Sequence, residues 1–349
     1  MEKKEKTWLN IIGLVVFLAA MPLFFRVGGG QFAMAEVLPG QAKAEGLSFS
    51  ALFEREESIS VSADLIGPGD VEFSKALAVS AGGRPLSVTA EELAKMKDLA
   101  YLKSNYYIVD SRTALLSGDV EPEAALSLDL TIEKTKQEPK ILIFHTHIHE
   151  GFADSDMSKG LSEGIWGAGE ELKRILEEEY GIGVIHDTGQ YDMVNGKGQT
   201  TGAYERMEPP IRKILRKYPS IEVCIDLHRD GVPESTRLVT EVNGKPTAQV
   251  MFFNGLCRLN KNGTPQAISG LENPYVKENL AFSLQMKTAA DRLFPGFSRK
   301  IYLNAYRFSL HFMPRSTLVE VGAQNNTKEE AWNAMAPLAE VLAKTLAEG

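Results

Sequence analysis

From Lys140 onward, short and continuously apolar runs alternate with helical stretches, and this rhythm constrains the fold more than any other feature of the chain. "ILIF" (Ile141–Phe144), "IGVIH" (Ile182–His186), "IEVCIDLH" (Ile221–His228), "AQVMFF" (Ala248–Phe253) and "STLVEV" (Ser316–Val321) read as strands. "ILIF" shows no polar alternation, the mark of a strand covered on both faces. Between the strands, "GEELKRILEEEY" places Leu172, Ile175 and Leu176 on one helical side, and "PPIRKILRKYP" carries Ile211, Ile214 and Leu215 on a short helix bounded by prolines. Val276, Leu280 and Leu284 line one face of a further helix, and Thr327 with Glu330 forms a capping box before the last one. The expectation is an α/β fold over residues 139–349, with a mostly parallel sheet flanked by helices. Pro139, at the end of the polar stretch "TIEKTKQEPK", marks the boundary.

The chain ahead of that boundary has a different character. Lys3, Lys4 and Lys6 make residues 1–7 a basic tail, and no charge appears from Trp8 to Phe25. As a helix that stretch spans roughly 27 Å, about one hydrocarbon core. Residues 8–25 are therefore expected to be a transmembrane anchor with its N-terminus cytoplasmic and the rest of the chain outside. The competing reading is a cleaved signal peptide with its site at Ala33-Met34-Ala35, though that site lies far beyond the apolar run. Residues 26–48 read as a linker and 49–138 as a stalk or accessory region, in which Leu93, Met96, Leu99 and Leu102 recur at near-helical spacing and "NYYIVD" resembles a strand.

Three of the apolar strands run into residues of metal-site type. "ILIF" leads to His145, His147, His149 and Glu150, "VCID" to His228, and "STLV" to Glu320. In a parallel α/β sheet, ligands bind at the carboxyl ends of strands, so parallel pairing would gather these residues at one edge. Two imidazoles and a carboxylate with one open position form a catalytic zinc set, in which the metal acidifies water and polarises a carbonyl. A second carboxylate must then carry the proton, and Glu320 is the candidate because it interrupts an apolar strand. The spacing leaves open which residues of "HTHIHE" are ligands. On a continuing strand His145, His147 and His149 share a face and Glu150 points away, whereas a turn after His147 would bring Glu150 back. His186 and His311 read as structural.

Composition narrows the partners. A net charge of −8 argues against a backbone-binding nucleic-acid protein and leaves small-molecule, peptide and glycan substrates open. Two cysteines, Cys224 and Cys257, make no disulfide framework.

With these segments in order, the chain resembles the stage II sporulation protein P family. The resemblance rests on the N-terminal apolar anchor, "NYYIVDS", "PKILIFHTHIHEGF", "VIHDTGQYD", "GAYERM", "YPSIEVCIDLHRDG" and "STLVEVGAQNNTKEEA", spanning most of Asn105 to Ala331. It implies a fold like that of zinc-dependent N-acetylmuramoyl-L-alanine amidases. It also implies an exported, membrane-anchored peptidoglycan hydrolase with amidase and endopeptidase activity, acting in engulfment beside a lytic transglycosylase and a multispanning membrane protein. By the same resemblance His147, Glu150 and His228 hold Zn2+, Glu320 is the catalytic glutamate, and His145 is a supporting neighbour or alternate ligand. His149 stands where an arginine or another polar residue is expected, and Met207 where the family often has serine. Arg206 and Arg229 are candidates for contacting substrate carboxylates through the planar guanidinium fork, or else ordinary salt-bridge residues. The alternatives are another metal-dependent amidohydrolase and a non-catalytic zinc-containing module for cell-wall binding or assembly.

Overall fold

The computed structural model describes residues 88–346. The expected tail, anchor and linker (1–48), and the part of the 49–138 segment before residue 88, lie outside the described residues. Among the described residues no helix is long and apolar enough to cross a membrane.

In chain order the elements are α1 (Ala90–Met96), α2 (Leu99–Asn105), β1 (Tyr107–Val109), α3 (Pro122–Ser127), β2 (Ile141–Phe144), α4 (Ile165–Glu178) and β3 (Val184–His186). A small hairpin, β4 (Met193–Val194) and β5 (Lys197–Gly198), precedes α5 (Ala203–Lys217) and β6 (Val223–Asp230). A second hairpin, β7 (Val239–Val242) and β8 (Lys245–Ala248), leads into β9 (Val250–Gly255). A third, β10 (Arg258–Lys261) and β11 (Thr264–Ala267), leads into α6 (Val276–Leu293). The chain finishes with β12 (Ile301–Asn304), β13 (Ser316–Ala323), α7 (Lys328–Asn333) and α8 (Met335–Thr345).

Seven of these strands form one sheet in the order β1-β12-β9-β13-β6-β2-β3. All neighbours pair in parallel except β9 and β13. The sheet is thus two parallel blocks meeting at one antiparallel seam, and β13, β6, β2 and β3 end at a common edge. That block holds every strand from which the metal-type residues emerge. The described part of the 49–138 segment is built into the same sheet, because Tyr107–Val109 pairs with Ile301–Leu303.

The two faces are covered unequally. Leu172, Ile175 and Leu176 of α4, Leu280 and Leu284 of α6, and Leu338 and Leu342 of α8 bury one face with Ile143, Ile225, Leu227, Val319 and Val321. On the other face, Met207 and Ile211 of α5 pack on Leu142, Phe144 and Cys224. Side chains alternate along a strand. Asp226 and His228 therefore share the α5 face with Cys224, and Glu320 shares it with Leu318, whose neighbours are Met251 and Phe253.

Helix α5 starts earlier than the prolines of "PPIRKILRKYP" suggest, for Pro209 and Pro210 lie inside it. Proline's fixed φ suits a helix, and its cost is a missing N–H and an unbonded carbonyl one turn back. Both prolines are on the exposed side, where those carbonyls can meet solvent. This earlier start places Tyr204 and Arg206 on the helix. The expected capping box at Thr327 and Glu330 is present, but its helix ends at Asn333 and α8 begins two residues later. Both cysteines are buried and free.

Candidate metal centre

Strand β2 ends at Phe144, and a turn follows at once over residues 146–149. Strand alternation therefore stops before the histidines, and each faces a different neighbour. The turn is tied to β6 by Thr146, whose N–H and hydroxyl donate to Asp226 Oδ1 at 2.9 Å and Oδ2 at 2.7 Å. The helix α4 behind it fixes Glu150, because Ile165 N–H donates to the Glu150 carbonyl at 2.9 Å. A Cβ on Gly164 would sit 2.3 Å from that carbonyl oxygen, so the contact requires glycine there.

This turn brings His147, Glu150 and His228 together, each offering one ligand atom within 4.8 Å of the others. His147 Nδ1 is 3.7 Å from Glu150 Oε1, and His228 Nδ1 is 3.4 Å from Glu150 Oε2. The His147 and His228 rings meet edge to face with centroids 5.2 Å apart. His228 is fully buried and donates Nε2–H to Asp226 Oδ1 at 2.7 Å. That bond fixes the tautomer and leaves Nδ1 facing the cluster, the carboxylate–histidine arrangement that supports metal-bound imidazoles. Glu150 Oε2 also accepts from Arg229 N–H at 2.9 Å, which orients the carboxylate.

The electrostatics match a cation site. Burial opposes charge on His228, but Asp226 and Glu150 hold its pKa well above the ordinary value. Burial likewise opposes ionisation of Glu150, yet His228 and a hydrogen bond from His147 hold that carboxyl well below the usual range. Without a metal, a proton on His228 balances two carboxylates. A divalent cation would replace that proton, so the donor set fits zinc in type and charge. We expect Asp226→Asn to preserve the hydrogen-bond geometry but remove the charge behind His228. Zinc affinity should fall roughly 10–100-fold, read by competition against a chromogenic chelator.

Glu320 pairs in register with His228 across β13 and β6. It is 1% exposed, and neither carboxylate oxygen has a hydrogen-bond partner among the described residues. Burial, and then Asp230, push its pKa well above the ordinary value. A buried, unsatisfied carboxylate is costly in a purely structural role.

The other sequence candidates have different surroundings. His145 points away from the cluster toward α4. It donates Nδ1–H to the Leu227 carbonyl at 2.6 Å, and its Nε2 lies 2.7 Å from Nε2 of His186, whose Nδ1–H donates to Glu170 Oε1. Burial and His186 lower its pKa to about 3, so the ring is neutral. A Cβ on Gly169 would come within 2.8 Å of the His186 ring, so this glycine lets α4 close over the pair. His149 donates Nδ1–H to Asp192 Oδ1 at 2.8 Å, while its backbone N–H donates to Asp192 Oδ2 at 3.0 Å. The side chain thus pins the turn to the 187–202 loop.

Arg206 directs its guanidinium to three backbone carbonyls. Its Nε donates to Tyr191 O at 2.7 Å and Nη1 to Thr201 O at 2.9 Å, and Nη2 donates to Gln199 O. Through these bonds Arg206 shapes the loop that carries Asp192. Arg229 likewise directs Nε to Gly151 O at 3.0 Å and Nη1 to Asp230 O at 3.2 Å. Its clear contribution to the site is the backbone N–H on Glu150. Asp226 is not singled out by the sequence analysis, although it stands two positions before His228 in "DLH" and strand periodicity puts both on one face.

No curated protein matches the chain significantly. Among solved structures the chain is similar to the N-acetylmuramoyl-L-alanine amidase AmiC2 of Nostoc punctiforme, at 13% identity and a TM-score of 0.32, covering 59% of this chain and 94% of that one. The CwlD amidase from Clostridioides difficile, solved in complex with the GerS lipoprotein, matches at 13% identity and a TM-score of 0.34, covering 59% and 95%. Ami1 from Mycobacterium abscessus matches at 14% identity and a TM-score of 0.32, covering 60% and 97%. The family model described as stage II sporulation protein P matches residues 87–343, which takes in nearly all of the described fold and every residue of the site. The chain belongs to the stage II sporulation protein P family.

Proposed function

We propose that this protein is a zinc-dependent peptidoglycan hydrolase that cleaves the amide between N-acetylmuramic acid and L-alanine in sporulation. Family membership supports the sporulation setting. The observation that carries the chemistry is the pairing of a His147–Glu150–His228 cluster with an unpartnered, buried Glu320 on the neighbouring strand. A zinc site held entirely for structure would have no use for that orphaned carboxylate.

Zinc held by His147, Glu150 and His228 would polarise the amide carbonyl and acidify the attacking water. Asp226 keeps His228 in the ligating tautomer, and Arg229 N–H with the α4 terminus keeps Glu150 in place. Glu320 takes the proton from water at a carboxylate oxygen as the new C–O bond forms. It returns that proton to the amide nitrogen as the C–N bond breaks, releasing the lactyl carboxylate and the free amine of the stem peptide.

The apolar Trp8–Phe25 segment behind Lys3, Lys4 and Lys6 supports a membrane-anchored hydrolase facing outward. Such an enzyme would work in a complex with a lytic transglycosylase and a multispanning membrane protein, the partners the family resemblance implies.

The decisive experiment is digestion of purified peptidoglycan by the protein, with and without a chelator, followed by mass analysis. Free stem peptides with intact glycan strands are expected, lost on chelation and restored by zinc. Shortened cross-links in place of free stems would make the enzyme an endopeptidase. Products insensitive to chelation would overturn the metal mechanism.

A further inference from the structure

A second orphaned polar group stands beside the metal cluster. Tyr204, one residue into α5, has a hydroxyl that is inaccessible to solvent and has no hydrogen-bond partner among the described residues. Its ring meets the His147 ring edge to face at 5.9 Å and is held from another side by Phe308 at 5.5 Å, also edge to face. Phe308 in turn packs on Phe253 of β9 with centroids 4.8 Å apart. The phenol is therefore fixed in direction by packing and not by a hydrogen bond of its own. Helix α5 covers the same sheet face that carries Asp226, His228 and Glu320.

A buried phenol costs free energy unless some partner satisfies it. Here the missing partner is an acceptor, and the ring that carries the hydroxyl packs directly on His147 of the candidate metal cluster.

Amide hydrolysis needs two services from the protein beyond the metal. One group must carry the proton, and a donor must meet the carbonyl oxygen as negative charge develops on it. Glu320 is suited to the first. Resting on the proposed function, we infer that Tyr204 supplies the second: its hydroxyl is a catalytic donor to the scissile carbonyl oxygen, strengthening as that oxygen becomes an oxyanion. The phenol keeps its proton throughout. Water adds to the carbonyl carbon, the amide nitrogen leaves with the proton carried by Glu320, and Tyr204 only donates a hydrogen bond.

The test uses the full chain and its Tyr204→Phe variant on a soluble muramoyl peptide. Phenylalanine keeps the packing on His147 and Phe308 and deletes only the hydroxyl. We expect kcat to fall roughly 10²–10³-fold with KM unchanged, the signature of a contact made in the transition state. Zinc affinity should be unchanged, and Tm unchanged or raised, because an unsatisfied hydroxyl has been removed. A peptide analogue with a phosphinate in place of the scissile amide should bind the variant more weakly by a similar factor. Wild-type kcat and phosphinate affinity in Tyr204→Phe would overturn the assignment while leaving the amidase reading standing. A lower Tm or lost zinc with unchanged turnover of the remaining holoenzyme would make Tyr204 structural and also overturn it. A wild-type chain that releases no stem peptides would overturn the proposed function, and this assignment with it.

Discussion

Glu320→Gln should bind zinc as the wild type does and lose hydrolysis by roughly 10²–10⁴-fold, the usual range for removing a general acid–base. The substitution is nearly isosteric, and among the described residues Glu320 makes no hydrogen bond that glutamine would break. A second measurement separates this outcome from misfolding. Burial raises the folded-state pKa of Glu320 above its unfolded value. A carboxyl shifted in that direction favours the folded state only while it is protonated. Its contribution is complete below the unfolded pKa of about 4 and is lost as pH rises toward the folded value. The metal-free Glu320→Gln chain should therefore unfold at a higher temperature than wild type near pH 7. Each kcal/mol would be worth about 2–4 °C in a domain of this size, and the advantage should vanish near pH 4. An active Glu320→Gln enzyme would remove Glu320 from the chemistry.

His228→Ala should behave oppositely on every count except activity. It would remove one of the three proposed ligands, so zinc binding and hydrolysis should both be lost. It also removes a donor from the buried Asp226 carboxylate, which is left with the two bonds from Thr146. Stranding a charged group in this way costs about 1–3 kcal/mol or more, so Tm should fall even without metal. The wild-type site adds a pH signature. Burial opposes charge on His228 but Asp226 and Glu150 raise its pKa, so zinc uptake is expected to release a proton and to weaken in acid. Isothermal titration in buffers of different ionisation enthalpy would count that proton. A His228→Ala chain that keeps zinc with wild-type affinity would refute the ligand set.

The strands bearing the site were legible in the sequence because burial on both faces leaves an unbroken apolar run. "ILIF", "VCID" and "STLV" needed no knowledge of their neighbours. That they run parallel followed from the strand–helix rhythm, while their order β13-β6-β2 and the antiparallel seam at β9 did not. A hairpin, β7–β8, delivers β9 into the sheet, and nothing in "AQVMFF" reveals its direction. The separate roles of the three clustered histidines were also hidden. They depend on the turn that begins right after Phe144 and on partners far along the chain: Leu227 and His186 for His145, and Asp192 for His149. Tyr204 escaped notice because Pro209 and Pro210 masked the true start of α5. An aromatic residue in an apparent loop gives no hint of its place on a helix above a metal cluster. Arg206 and Arg229 show the converse, since a guanidinium suited to carboxylates is equally suited to tying down backbone carbonyls.

The placement of β13 has a consequence for the order in which the protein comes together. This strand lies between β6 and β9, so until residues 316–323 dock, the sheet exists as two unjoined pieces. His147, Glu150, His228 and Asp226 all belong to the first piece, built from β2, β3 and β6. Glu320 arrives with the strand that closes the gap. A chain that folds as it emerges could therefore assemble the proposed ligands before Glu320 is in place. Joining the two halves of the sheet and bringing Glu320 beside the cluster are then the same pairing, a long-range one of the kind that forms slowly.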